Sequence, residues 1–232
     1  MRTTLWVLAL SALFVLHFSA ESEGAYWTKS AINETPLPGA CGVGTGDLNG
    51  THYADVIVAA KEVGDRVVWY ENPHPPPVPV FWTEHSVDSL ADGAREIAIA
   101  DIDRDDDLDI IAAIRDENII VWYENSFVSP TAAWPMYQVG SLLGPRGVKG
   151  VFAIDLDGDS DTDIVAAGRD CNDVVWYEHL STEPPSWQKH FIDMDLQGAV
   201  SAVFLDLPSS GAEPGSSETG TLLECRVHPV RR

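Results

Sequence analysis

Beyond Gly24 no stretch keeps an apolar period of 3.6 residues over three turns; the chain is built of short apolar runs bounded by Gly, Pro, Asp and Asn. The runs recur in a fixed order. Asp55-Val-Ile-Val-Ala-Ala60, Asp109-Ile-Ile-Ala-Ala113 and Asp163-Ile-Val-Ala-Ala167 are each followed by an aromatic signature, Val68-Trp69-Tyr70-Glu71-Asn72, Val121-Trp122-Tyr123-Glu124-Asn125 and Val175-Trp176-Tyr177-Glu178-His179. A further element starts at Trp27, Trp82, Trp134 and Trp187. Ahead of each apolar run stands an acidic segment whose leading residues, Asp47, Asp101 and Asp155, are 54 positions apart at each step. Four landmarks at one period define a repeat.

Each unit reads as four short strands, placed in the middle unit at 94–101, 109–114, 119–124 and 133–139. Four antiparallel strands in a unit of this size predict a blade of an all-β propeller. The blades fall at about 41–88, 94–139 and 147–193, with a partial fourth at 198–207. Trp27 belongs to an outer strand with no unit in front of it. Asn72-Pro-His-Pro-Pro-Pro77 cannot enter a central strand, so it predicts a surface loop. The repeat pattern covers residues 25–207 and stops at Pro208; the Pro/Ser/Gly/Glu-rich segment 208–232 is read as a tail without strands, foreign to the fold through truncation or a misread frame. Three blades fall short of the roughly four that close a propeller, so open edges and self-association are expected of this form.

The N-terminus changes the picture of where the protein works. Arg2 precedes an almost unbroken apolar run, Leu5 to Phe18, which is the length of a signal core and short of a bilayer span. Residues 1–24 are assigned to a signal peptide cleaved after Gly24, and the protein to the extracellular space, with no membrane span after signal removal. Cys41, Cys171 and Cys225 are odd in number and occupy unrelated repeat positions, so their pairing is left open. Asn33-Glu34-Thr35 and Asn49-Gly50-Thr51 fit the glycosylation pattern of a glycoprotein, the first weakened by Pro36.

Charge narrows the partners. The chain holds 36 acidic and 14 basic side chains, a formal net charge of -22. This excludes a phosphate-binding surface of clustered Lys and Arg, hence nucleic acid, and disfavours anionic lipid. Much of the excess is gathered in three loops. Loop two alternates Asp101, Asp103, Asp105, Asp107 and Asp109, with Asp106 in addition; loop three alternates Asp155, Asp157, Asp159, Asp161 and Asp163. Carboxylates at such spacing repel by about 1 kcal/mol per neighbouring pair in water, and a hard divalent cation compensates them. Calcium, which takes six to eight oxygens, suits alternating Asp in a tight loop. An EF-hand is excluded: the position of its terminal Glu holds Ala112 and Ala166, inside strand-like runs.

The loops, their period and the WYEN signature together resemble the FG-GAP/VCBS repeat family, over about Trp27 to Leu207. The resemblance implies a calcium-binding β-propeller in which the loop joins the first two strands of a blade. By position it implies the side chains of Asp101, Asp103, Asp105 and Asp109 with the carbonyl of Asp107, and those of Asp155, Asp157, Asp159 and Asp163 with the carbonyl of Asp161. In loop one Asp47, Asn49 and Asp55 match, but Thr51 stands where the third Asp belongs, so weaker binding is expected there. The family's second glycine is replaced by His52, Asp106 and Ser160. Of these, Asp best tolerates a left-handed backbone.

The recurring Trp and Tyr pairs are read as packing between blades, one ring inward and the other on a partly wet surface, and His85 and His190 as scaffold. No nucleophile motif or acid–base pair stands out, so no catalytic residue is nominated. The expected function is a secreted, non-catalytic scaffold recognising a glycan or a protein. The alternative is a fragment of a calcium-dependent polysaccharide-degrading enzyme, a lyase on the same propeller, for which Arg95, Arg146, Lys149 and Arg169 are the basic residues available.

Overall fold

The structure is a computed structural model that describes residues 6–9, 14–20, 25–32, 37–61, 65–74, 81–126, 133–142, 147–168, 173–182, 185–193, 203–208 and 219–224, with side chains between 31 and 193. Among the described residues all regular structure is β-strand. Three consecutive four-stranded antiparallel sheets carry the repeat. The first is β4 (Ala40–Gly46), β5 (Asp55–Ala60), β6 (Arg66–Glu71) and β7 (Thr83–Asp88). The second is β8 (Ala94–Ala100), β9 (Asp109–Ile114), β10 (Ile119–Tyr123) and β11 (Met136–Ser141). The third is β12 (Val148–Ile154), β13 (Asp163–Gly168), β14 (Asp173–Thr182) and β15 (Pro185–Asp193). In each, spatial order follows chain order. Ahead of them β1 (Trp6–Ala9), β2 (Phe14–Ala20) and β3 (Ala25–Ala31) form a sheet in that order, and after them β16 (Val203–Pro208) pairs with β17 (Thr219–Glu224).

Strands lie at both ends of the chain, and the one near the C-terminus departs from the reading of the sequence. The apolar run assigned to a signal peptide contains β1 and β2, with β3 paired to β2 through Phe18 and Trp27. Within 208–232, read as free of strands, β17 lies antiparallel to β16, pairing Leu222 with Leu205.

The second strand of every repeat is buried on both faces along its full length, in β5, β9 and β13 alike. This is why those runs read as continuously apolar. Alternation then divides each strand between two cores. Ile110, Ala112 and Ile114 pack toward the first sheet with Ile57, Ala59 and Trp69. Ile111 and Ala113 pack toward the third with Ile164, Ala166 and Val175. The sheets therefore stack face to face, and their first strands, β4, β8 and β12, run beside one another.

The aromatic pairs follow the same division, and here the expectation is corrected. Trp69 faces the second sheet and Trp122 the third, whereas Tyr123 faces back to the first and Tyr177 back to the second. In the first two pairs neither ring is wet: Trp69, Tyr70, Trp122 and Tyr123 are each 1% exposed; in the third, Tyr177 is buried and Trp176 is partly exposed, as expected. Both faces of the first two sheets are covered, so both of their rings find a core. The Tyr hydroxyls reach the neighbouring sheet, Tyr123 donating to Asp88 Oδ2 (2.8 Å) and Tyr177 to the Ser141 carbonyl (2.7 Å). His85 stacks on Trp69 (4.3 Å between centroids) and His190 on Trp176 (4.4 Å), each ring bonded to a Glu of the signature.

A β-bulge repeats in each first strand, at Cys41, Arg95 and Lys149. Beside the first bulge the sheets come so close that only glycine fits. A Cβ on Gly42 would lie 2.3 Å from the Arg95 carbonyl oxygen, and one on Gly44 would lie 2.6 Å from Ile99 Cδ1. The Cys41 thiol, free, donates to the Ala94 carbonyl at 3.2 Å. Cys171 and Cys225 lie outside the described residues. A backbone neighbour cannot rotate away and a side chain can. Gly42→Ala should therefore cost about 2–3 kcal/mol and Gly44→Ala visibly less. Urea denaturation midpoints check this; equal midpoints for the two variants would refute the close approach.

Candidate metal centre

All three acidic loops join the first strand of a sheet to the second, at one end of the stack, and each is built by the same backbone conditions. The fourth and sixth positions take the left-handed conformation: Gly50 (φ 68°) and His52 (66°), Arg104 (64°) and Asp106 (73°), Gly158 (82°) and Ser160 (77°). The glycine missing from the sixth position is thus replaced without change of backbone. The tight path leaves a crown of N–H groups without ladder partners, and the leading Asp accepts them. Asp101 takes the N–H groups of Arg104 (2.7 Å), Asp105 (3.2 Å) and Asp106 (3.2 Å). Asp47 takes those of Thr51 (3.0 Å) and His52 (2.5 Å), and Asp155 those of Gly158 (2.8 Å) and Ser160 (3.1 Å).

The closing Asp of each loop does something different. Asp109 is fully buried; one oxygen accepts the N–H of Ile102 (3.0 Å), the other that of Asn125 (2.8 Å). Asp55 does the same with Leu48 and Asn72, and Asp163 with Leu156 and His179. These carboxylates tie the loop to the end of the third strand. Burial pushes Asp109 up to about 7 and Asp55 to about 6, against the pull of those N–H groups, and it raises Asp163 as well.

Of the expected ligands, the structure brings together carboxylate oxygens of Asp101, Asp103 and Asp109 in loop two, and of Asp155, Asp157 and Asp159 in loop three, each set within 4.8 Å. Asp105 lies outside the first set and accepts the N–H of Asp107 (2.9 Å). In loop three Asp163 serves the strand tie, and Asp161 pairs with Arg104 of loop two. Loop one closes on itself instead: Thr51 donates its hydroxyl to Asn49 Oδ1 (2.7 Å), and Asn49 donates to Glu71 (3.4 Å).

Loop two fits a hard cation on a specific observation: Asp103 Oδ1 is buried and has no hydrogen-bond partner. Burial, then the charges of Asp105, Glu124 and Asp101, push the Asp103 carboxyl up to about 6. An unsatisfied, desolvated carboxylate among like charges is what a divalent ion relieves.

Two residues of the site escaped the sequence reading. Glu124 lies near enough to Asp103 to raise its carboxyl, and its repeat equivalent Glu71 bonds loop one directly. Asn125 bridges loops one and two, its Nδ2 donating to the carbonyls of Leu48 (2.9 Å) and Leu108 (3.0 Å). Both belong to the WYEN signature; their recurrence two strands after each loop was the signal available. In the third repeat His179 takes Asn125's place, stacked on Trp187 (4.3 Å), its pKa lowered by burial.

Residues 47–112, from loop one through the second loop into β9, match the FG-GAP-like repeat family. The match agrees with the family that the loops and the WYEN signature resemble. No curated protein matches the chain.

The raised carboxyls fix a pH response for metal-free protein. Between about pH 4, the ordinary Asp range, and about 7, the folded state holds protons that the unfolded chain has released. Its stability therefore falls as pH rises through that window. His179 opposes this weakly below its ordinary value. In excess chelator the melting temperature should be higher at pH 5 than at pH 7.5, and Asp103→Asn should flatten the difference. A wild-type melt that rises with pH would contradict the burial of these groups. In the same buffer Asp109→Ala, which orphans two N–H groups, should cost about 2–4 kcal/mol, and the exposed Asp105→Ala under about 0.5 kcal/mol. Chemical denaturation distinguishes them.

Proposed function

We propose that the protein is a secreted, calcium-stabilised β-propeller scaffold that presents its surface for recognition of an extracellular glycan or protein, without catalysis. The propeller reading is supported by four-stranded sheets in up-and-down order, packed face to face with their first strands adjacent, together with the FG-GAP-like repeat. The observation that carries the metal reading is the buried, unpartnered Asp103 oxygen amid carboxylates. Every donor gathered in loops two and three is a carboxylate oxygen, which selects a hard cation over zinc or copper.

Asp101, Asp103 and Asp109 would hold calcium in loop two, with Glu124 adding charge at its border; Asp155, Asp157 and Asp159 would hold it in loop three. Bound there, the ion supplies charge neutralisation and rigidity. Loop one, with Asn49 and Thr51 in place of two Asp and its Thr51 hydroxyl committed to Asn49, binds weakly. The shifted carboxyls have a cation-holding or strand-tying role in this reading, so none is left over as an acid or base.

Calorimetric titration with calcium should show two tighter sites and one weak one, with affinities near the 10⁻⁴–10⁻³ M common among extracellular modules. Chelation should lower the melting temperature. Asp103→Asn should remove one of the tighter sites, and Asp47→Asn should leave both. An absence of binding heat together with a melt indifferent to chelator would refute the metal reading. A glycan array probed with and without chelator tests recognition: binding abolished by chelation is the expected result.

A further inference from the structure

We infer that Arg104 is a positioning residue through which loops two and three bind their cations as a coupled pair. The inference rests on the calcium reading of those loops. Arg104 occupies the left-handed fourth position of loop two (φ 64°), where loops one and three carry Gly50 and Gly158. A residue with a Cβ is disfavoured there, so the local backbone does not account for an arginine. Its contact does: the guanidinium leaves its own loop and pairs with Asp161 of loop three. A second tie runs the other way, the Thr162 hydroxyl donating to the carbonyl of Asp101, the leading residue of loop two (3.3 Å). Between loops one and two the bridge is the neutral amide of Asn125. The ionic tie thus joins the two loops that gather three carboxylates each.

The sign of the coupling follows from competition for one guanidinium. Without a cation, the carboxylates of loop two, Asp101, Asp103, Asp105 and Asp106 among them, compete with Asp161 for Arg104 and weaken that pair. A divalent ion discharges them and leaves Arg104 to Asp161, which holds loop three in its binding shape. By linkage, a cation in loop three favours loop two equally. Direct repulsion between the two ions opposes this and does not depend on Arg104. Removing the arginine should therefore leave the sites independent or antagonistic.

The test is a thermodynamic cycle by calcium calorimetry on the whole chain. Asp103→Asn leaves loop three to be measured alone and Asp157→Asn leaves loop two. In the wild-type background each site should be weakened by about threefold when the other is lost, the range of a half-exposed ion pair. With Arg104→Gly, the residue that the other loops tolerate at this position, the weakening should vanish. Asp161→Asn, which keeps the loop's carbonyl, should abolish it from the other side, and Arg104→Lys should retain part of it. Independent sites in the wild type, or coupling that survives both Arg104→Gly and Asp161→Asn, overturn the inference while the calcium reading stands. A wild-type protein that takes up no calcium overturns both.

Discussion

A carboxylate that never meets solvent sets the geometry of each repeat. Asp55, Asp109 and Asp163 begin the second strands of their sheets, and each accepts one N–H from its own loop and one from the last residue of the aromatic signature, Asn72, Asn125 or His179. Three elements separated along the chain, loop, second strand and the exit of the third, are pinned by one side chain. Such a residue must be an acid: it needs two acceptors, a short reach and no donor. The cost of burying it is what lifts its pKa. The acidic loops hang from this pin, so the carboxylates that converge in loops two and three are presented by a rigid frame.

From the same pin the chain passes into strands buried on both faces, and stacking completes the core. Trp forward and Tyr back is a consequence of adjacent strand residues pointing to opposite faces. The second sheet is sandwiched, so Tyr123 lands in one core and Trp122 in the other. The histidines that stack on Trp69 and Trp176 cover the remaining ring faces and hold the signature glutamates, which accords with a scaffold role.

Much of this was legible in the sequence because burial on both faces and exact repetition leave strong marks. The strand read at 109–114 is β9 as found, and 94–101 differs from β8 by one residue. The outer strand read from Ala133 begins instead at Met136, since Pro135 has no N–H to give the ladder; its carbonyl accepts the Glu124 N–H in a separate contact. The position of the loops was legible, and so was the departure of loop one at Thr51, whose hydroxyl goes to Asn49. Alternation of Asp did not reveal how each carboxylate divides its oxygens between backbone N–H groups and its neighbours. That division depends on left-handed residues such as Arg104 and Asp106, and on Glu124 arriving from a strand remote in sequence. A period-2 reading has no access to either.

The orientation of the aromatic pairs makes the stack directional. Each sheet offers a Trp side and a Tyr side, and among the described residues the repeats meet by unlike sides: Trp69 and Tyr123 share one core, Trp122 and Tyr177 the next. Every interface is then a copy of the one before, and a duplicated unit brings one half of each new contact with it. Arrays of this kind lengthen by gene duplication without redesign of any surface. They also resist misassembly, because two like faces would set indole against indole and leave the Tyr hydroxyls without the Asp88 and Ser141 acceptors they use here.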